Sequence, residues 1–282
     1  MTAPGLLWVV ATPIGNLEDI TLRALRILRE ADAILAEDTR HTRRLLHHHG
    51  IDTPLRSLHA HTAPAKLLAL AAEVAGGAHF ALVTDAGTPA VSDPGRQLVT
   101  EVRARGGRVE PIPGPSAALA AVSACGLRAD RFRFLGFLPR SSGRRRRHLQ
   151  ELADDPAAQI LFESPRRLPA LLRDLAPLLG DRRVAVCREL TKMHEEIATG
   201  TAAELAERFP ETRGEITLVV EAADRDEGPR DGDIDADRVL RAGLRAGRRP
   251  GALAKEVAAT GAMSRSEAYA RLVALRGVDE QE

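Results

Sequence analysis

At 282 residues the chain is too long for one small domain and suits two, since domains usually run to about 100–200 residues. A composition of 44% hydrophobic and 28% charged residues excludes disorder, collagen-like repeats and a disulfide scaffold. The 40 basic and 39 acidic residues nearly cancel, but only Lys66, Lys192 and Lys255 are lysines, and the rest of the basic set is arginine, the side chain suited to bidentate phosphate and carboxylate contacts.

Strand-like and helix-like segments alternate from the start. Residues 6–11 form a β-rich run, followed by the breaker Thr12-Pro13-Ile14-Gly15-Asn16 and a helix with Leu22, Leu25 and Leu28 on one face. Residues 33–36 predict a second strand ending at Glu37-Asp38, and residues 80–84 a third, apolar throughout as a strand covered on both faces should be. A long loop of small residues spans 85–95, with Asp93 and Pro94 as N-cap and first turn of a helix that Gly106-Gly107 ends. Residues 108–112 predict a strand running into Pro113-Gly114-Pro115-Ser116, where Ser116 caps an alanine-rich helix closing near Gly126. Residues 159–162 lead to Glu163-Ser164-Pro165, again cap and proline, opening a helix that reaches Gly180. Residues 184–187 and 215–220 predict later strands, separated by an amphipathic helix over 202–209. Such alternation argues for α/β layers with a mainly parallel sheet in the first half.

The character changes at residues 221–237, which are rich in Asp and Glu and lack apolar periodicity, as expected of a solvated linker. Beyond it residues 250–260 predict a helix stopped by Gly261, and Ser264-Arg265-Ser266-Glu267 is a capping box opening another. The segment is basic, and two short helices around a glycine fit either a helix-turn-helix or a plain helical hairpin.

In open α/β sheets ligands bind beyond the carboxyl ends of strands, and the unusual loops at 12–16, 85–95, 113–116 and 162–165 lie there. Neither G-x-x-x-x-G-K-[ST] nor G-x-G-x-x-G occurs, so a P-loop and a dinucleotide fingerprint are unsupported. Cys125 and Cys187 sit in apolar runs, which suits a reducing compartment and leaves no zinc cluster to build. His47, His48 and His49 point about 100° apart on a helix and cannot all face one metal; no metal site is expected. His59 and His61 share a strand face if their segment is extended. No stretch approaches the roughly 20 apolar residues of a membrane span, and the apolar start lacks a basic region before it, so the expectation is a cytoplasmic protein without a membrane partner. Arginines crowd residues 128–147 and include the run Arg144, Arg145, Arg146 and Arg147 after a Ser-Ser-Gly loop; Arg40, Arg43, Arg44, Arg166 and Arg167 follow other loops of the cleft side. Such positive surface fits RNA, because phosphate contacts supply most of the affinity.

Taken in order, several strings resemble one family. Ala11-Thr12-Pro13-Ile14-Gly15-Asn16-Leu17, Ala36-Glu37-Asp38-Thr39-Arg40, Thr84-Asp85-Ala86-Gly87-Thr88-Pro89, Ser92-Asp93-Pro94-Gly95, Pro113-Gly114-Pro115-Ser116-Ala117 and Phe162-Glu163-Ser164-Pro165-Arg166-Arg167 are similar to the ribosomal RNA small subunit methyltransferase I family, within the tetrapyrrole methylase superfamily. So are Cys187-Arg188-Glu189-Leu190-Thr191-Lys192, His194-Glu195-Glu196 and Gly214-Glu215-Ile216-Thr217. The resemblance covers about residues 6–221 and implies S-adenosylmethionine-dependent methylation of the ribose 2′-hydroxyl of a decoding-region cytidine in 16S rRNA, with the small ribosomal subunit as partner and a homodimer as assembly. It implies two α/β domains, 1–114 and 115–221, with the methyl donor in the cleft between them; composition adds the acidic linker 222–237 and a basic helical segment 238–282, which the resemblance does not reach. By similarity Pro13, Ile14, Asp85, Ala86, Gly87, Val91, Ser116, Ala117, Phe162 and Leu190 line the donor pocket.

The reaction implied is an in-line displacement by the 2′-oxygen on a sulfonium methyl, in which placing the two atoms does most of the work. A positioned base helps by perhaps 10²–10⁴-fold. Candidates are Glu189, Lys192, His194 and Glu37. Glu189 and Lys192 are favoured because they follow an apolar strand, where an ion pair joining two domains is the other role open to them. Two further functions stay open: a tetrapyrrole methylase, whose polycarboxylate substrate suits an arginine-lined cleft, and a DNA-binding regulator with a ligand-sensing α/β body.

Overall fold

A computed structural model describes residues 5–153, 155–223, 236–245, 248–259 and 263–279. Residues 1–223 form one compact unit and residues 224–282 a second.

The first unit holds two five-stranded sheets. In the first, β1 (Leu6–Val10), β2 (Ala33–Ala36), β3 (Leu55–Ser57), β4 (His79–Leu82) and β5 (Arg108–Ile112) lie in the order β3-β2-β4-β1-β5, all parallel. β2 is buried along its whole length because helices cover both faces, which is why its sequence is apolar without alternation. α1 (Leu22–Glu30) and α2 (Thr39–His48) contribute Ala24, Ile27, Leu28, Leu45 and Leu46 to the core on one face. α3 (Pro64–Ala75) and α4 (Arg96–Ala104) contribute Leu67, Leu70, Val74, Leu98 and Val102 on the other.

Three local expectations need correction. The buried stripe of α1 is Ala24, Ile27 and Leu28; Leu22 is 86% exposed, because as the first helical residue it points back beyond the helix start. α4 begins at Arg96 with Gly95 as N-cap, so Asp93 is free of capping and stays in the loop. His59 and His61 lie past the end of β3, in the turn closed by the bond from the Thr62 N–H to His59 O.

The second sheet contains β6 (Phe132–Phe137), β7 (Ala158–Glu163), β8 (Arg183–Arg188), β9 (Glu196–Thr201) and β10 (Ile216–Val220), in the order β6-β7-β10-β8-β9. β6 and β7 run parallel and the other neighbours antiparallel. α5 (Ala117–Ala124), capped by Ser116 as expected, packs Ala121 against one face beside Ala185, Cys187 and Val219. α6 (Ser142–Ala153), α7 (Leu168–Leu179) and α8 (Ala202–Arg208) cover the other face. The expected start of α7 at Pro165 is also corrected: residues 164–167 form a turn first, with the Arg167 and Leu168 N–H groups both donating to Ser164 O.

The second unit comprises α9 (Ala236–Arg245), α10 (Pro250–Ala259) and α11 (Arg265–Asp279) around Leu240, Leu253, Ala254, Val257, Ala268 and Leu272. The Ser264–Glu267 capping box opens α11 as the sequence indicates. A Cβ on Gly243 would run into the Leu253 side chain, so any larger residue there has to displace Leu253. Most of the acidic stretch expected at 222–237 lies outside the described residues.

Candidate active site

The first unit encloses a cavity of about 510 Å³, within the range of small-molecule sites. Its lining comes from the carboxyl ends of strands in both sheets, with Glu37 after β2, residues 84–88 and 91–93 after β4, Ser116–Ala118 after β5, Phe137 on β6, Phe162–Pro165 at the end of β7 and Cys187 and Leu190 at β8, and from the amino end of the antiparallel β10 at 214–217. The pocket residues inferred from the family resemblance converge here, for Ile14, Asp85, Ala86, Gly87, Val91, Ser116, Ala117, Phe162 and Leu190 all line it. Pro13 does not. It is buried in the turn behind Ile14, beside Thr12, whose hydroxyl donates to Thr84 O at 3.0 Å.

Backbone pairing fixes the floor. Thr12 and Gly87 exchange both main-chain hydrogen bonds (2.9 and 3.1 Å), tying the turn after β1 to the loop after β4. Gly87 sits at φ +80 and a Cβ there would contact Ile14 Cγ2 at 3.5 Å. The turn after β1 also presses on the turn after β8: a Cβ on Gly15 would meet Lys192 Cγ at 2.4 Å and Leu190 O at 3.0 Å, and the Asn16 N–H donates to Thr191 Oγ1.

Among the described residues the lining carries five carboxylates, Glu37, Asp85, Asp93, Glu163 and Glu215, and no lysine, arginine or histidine. Two have cations behind them. Glu215 accepts from Lys192 Nζ at 2.8 Å, and the fully buried Glu163 lies 2.9 Å from Arg167 Nη2, an ion pair without hydrogen-bond geometry. Glu37, Asp85 and Asp93 have no ion pair among the described residues. Burial, then Asp85, then Asp93 push the Glu37 carboxyl above its ordinary value against a hydrogen bond to Thr84. Burial and Asp85 raise Asp93 in the same way, again opposed by Thr84. Asp85 accepts the Asp38 N–H at 3.1 Å, which keeps it beside Glu37. Burial pushes the Cys187 thiol up to about 12, so it is an inert wall.

Glu189 and Lys192 are not part of the lining; they stand behind it. Lys192 Nζ bonds Glu189 Oε1 (2.9 Å) as well as Glu215, and Glu189 also accepts the Glu215 N–H (2.8 Å). Burial raises the Glu189 carboxyl, but the Glu215 N–H and the Lys192 ammonium outweigh it and hold the group below the usual carboxylate range. Burial lowers Lys192, yet its two carboxylate partners hold it above the ordinary lysine value. Gly214, at φ +91, makes room for this cluster, since a Cβ would lie 2.5 Å from Glu189 Cδ.

Among the arginines, Arg40 (paired with Asp38 at 3.0 Å), Arg43, Arg144, Arg146, Arg147 and Arg166 are exposed. Arg145 and Arg167 point inward and depart from the expected RNA-facing set. The run lies within α6, where successive side chains diverge by about 100°, so Arg145 falls on the buried side and bonds Asp174 through Nε (3.0 Å) and Nη2 (2.5 Å). Arg167 donates to Leu138 O at 2.9 Å beside its contact with Glu163.

Sequence reasoning weighed Glu37 but favoured Glu189 and Lys192, read Asp93 as a cap, and passed over Thr84, Phe137 and Thr217. The Thr84-Asp85-Ala86, Ser92-Asp93-Pro94 and Gly214-Glu215-Ile216-Thr217 strings hold the signal for Thr84, Asp93 and Thr217; for Phe137 there is none.

The tetrapyrrole (corrin/porphyrin) methylase family pattern matches residues 6–206. The chain is 47% identical to the ribosomal RNA small subunit methyltransferase I of Xylella fastidiosa over 80% of its own length and 85% of the relative's. It is 48% identical to the protein of the same name from Mesorhizobium japonicum, over 83% and 80% respectively. Among solved structures, a cobalt precorrin-4 methyltransferase aligns with a TM-score of 0.57 at 18% identity, covering 78% of this chain and 96% of that one. A uroporphyrin III C-methyltransferase from Thermus thermophilus aligns with a TM-score of 0.57 at 20% identity, covering 77% and 98%.

Proposed function

Because the chain belongs to the tetrapyrrole methylase family, whose methyltransferases use S-adenosylmethionine, we propose that it transfers the donor's methyl group to a ribose 2′-hydroxyl of a cytidine in the decoding region of 16S rRNA. The observation that carries this reading is the charge of the cavity: among the described residues, five carboxylates and no basic side chain on the lining, with exposed arginines elsewhere on the same unit. Such a lining favours a cationic donor and repels a polycarboxylate tetrapyrrole, while phosphates find their cations outside.

The donor, when bound, supplies an electrophilic methyl on a sulfonium. Asp85, Glu37 and Asp93 offset the positive charge of that ligand. Ala86, Gly87, Ser116 and Ala117 allow close approach, and Ile14, Leu190 and Phe162 exclude water. Glu37 accepts the proton leaving the hydroxyl, because its raised carboxyl brings it nearer to neutral pH than an ordinary carboxylate. Glu189 and Lys192 act through Glu215 and Leu190 and are positioning residues. Arg40, Arg43, Arg144, Arg146, Arg147 and Arg166 meet phosphates. The chain works in the cytoplasm as a homodimer on the small ribosomal subunit.

The test offers labelled donor together with isolated small subunits, free 16S rRNA, uroporphyrinogen or duplex DNA. Label in a 2′-O-methylcytidine from rRNA is the expected result. Label in the tetrapyrrole, or a DNA shift independent of donor, overturns it.

A further inference from the structure

Aromatic side chains are scarce, with six Phe, one Trp and one Tyr in the chain, yet three of the phenylalanines stand on the edge strand β6. Its register sets Phe132 opposite Ala158, Phe134 opposite Ile160 and Phe137 opposite Phe162, with a shift between Phe134 and Gly136. Strict alternation would send Phe134 and Phe137 to opposite faces. The bulge at Leu135 restores them to one face, which is what a bulge beside a site does when it re-aims a side chain. Gly136 takes φ +61 there, and a Cβ would meet Ser92 Oγ at 2.8 Å, so the bulge is seated on the loop that carries Asp85 and Asp93. The rings of Phe134 and Phe137 then flank Phe162, with centroids 5.0 and 5.7 Å from it. Phe137 lines the cavity and is still 60% exposed, which places it at the mouth; Phe132, farther along the same face, is 41% exposed.

We propose that Phe137 is the platform on which the nucleobase of the methylated nucleotide stacks, with Phe132 on the same face serving a neighbouring base. The inference rests on the RNA reading above. A ribose 2′-oxygen belongs to the carbon next to the one bearing the base, so an oxygen inside the cavity brings its base to the mouth. A base inside an A-form helix cannot make that approach; it must leave its stack, and recognition of unstacked bases runs through aromatic faces. Phe137 offers that face. Phe162 is engaged by two neighbouring rings, and no other aromatic among the described residues lines the cavity. Exposed Arg166, next to the lining residue Pro165, supplies a cation for the adjoining phosphate.

The experiment measures methyl transfer to 16S rRNA by the full chain carrying F137A, F137L or F137W. Loss of one base–aromatic stack raises the KM for RNA about 10- to 100-fold in F137A and F137L, with the donor KM moved less than about threefold. F137W stays within about threefold of the parent. F132A gives a smaller rise in the RNA KM. A fluorescent base at the methylated position is quenched on binding to the parent and to F137W, and not to F137L. An F137L enzyme equal to the parent, with quenching intact, overturns the proposal, since leucine keeps the apolar volume and loses the ring. Variants that turn a dimer into monomers, with the RNA KM following the assembly state, would assign the face to a second copy and overturn it as well. If the parent itself methylates no RNA, the functional reading fails and this inference with it; an active parent with an indifferent F137L refutes the inference alone.

Discussion

Two walls of the cavity use the same backbone device for different ends. On the loop after β4, Ala90 (φ 66°) and Ser92 (φ 65°) flank Val91; on the turn after β8, Glu189 (φ 50°) and Thr191 (φ 68°) flank Leu190. These are the left-handed non-glycine residues among those described, each held at a cost of about 1–3 kcal/mol, and each pair aims one apolar side chain into the cavity. The charges differ. Beside the first wall Glu37, Asp85 and Asp93 lack basic partners, and burial with mutual repulsion raises Glu37 and Asp93. Behind the second, Lys192 joins Glu189 to Glu215, and the Glu189 carboxyl is lowered. Backbone strain positions both walls; in the proposed reading the unpartnered carboxylates of the first meet the cationic donor and the paired charges of the second brace it.

Glu37→Gln is the sharpest way to break this comparison. Loss of the proton acceptor lowers kcat about 10²–10⁴-fold in a single-turnover assay. The parent's rate falls as pH drops through a value above the ordinary carboxylate range, and Glu37→Gln loses that acid limb. The sign for stability is opposite: a raised carboxyl favours the fold at acid pH and costs it as pH rises through the folded value, so Glu37→Gln has a higher Tm at neutral pH. A variant that keeps both its rate and its acid limb would return the proton transfer to Glu189 and Lys192. Next in size, Asp85→Asn weakens donor binding about 10- to 100-fold in calorimetry, the worth of one charged contact. An unchanged donor Kd would remove the first wall's role.

Lys192→Met tests the other wall. It strands the half-buried Glu189 and the exposed Glu215; the exposed pair is screened by solvent, so the loss is about 1 kcal/mol of stability and comes mainly from Glu189. Lowered Glu189 contributes stability above its unfolded value near 4.5, lost as pH falls through the folded value; raised Lys192 contributes below 10.5, lost as pH climbs through its folded value. Denaturation across pH should therefore show the alkaline limb vanish in Lys192→Met and the acid limb shrink. The rate profile keeps the acid limb that belongs to Glu37, which separates a positioning role from acid–base chemistry.

The first sheet was more legible in the sequence than the second, for a physical reason. Buried parallel strands such as β2 and β4 are continuous apolar runs, and Gly106-Gly107 marks where the chain turns into β5. β6 and β9 lie at the edges of a mixed sheet, where the exposed Arg133 and Thr199 and the half-buried, ion-paired Glu196 dilute the apolar signal. The site follows the same division. Small-residue loops around Asp85 and Ser116 announce themselves by composition, but Phe137 owes its place to a bulge, and the inward turn of Arg145 depends on Asp174, which lies 29 positions away in the chain. Both are products of packing, which local pattern does not record.

The smallest effect gives the finest contrast. Ala90→Gly removes a Cβ from a left-handed residue, relieving about 1–2 kcal/mol, while glycine's extra freedom in the unfolded chain takes back about 0.5–1 kcal/mol. The balance leaves stability unchanged or slightly raised. Thr191→Gly makes the same backbone exchange but also removes the hydroxyl that accepts the Asn16 N–H at 3.1 Å, a net loss of about 0.5–1.5 kcal/mol from that bond. Urea melts of the two variants should therefore part by roughly one hydrogen bond's worth, with Thr191→Gly the weaker protein. Equal midpoints would mean that the second wall is no better braced than the first, and that the ion-paired cluster behind Leu190 carries the clamp without help from the contact between the two turns.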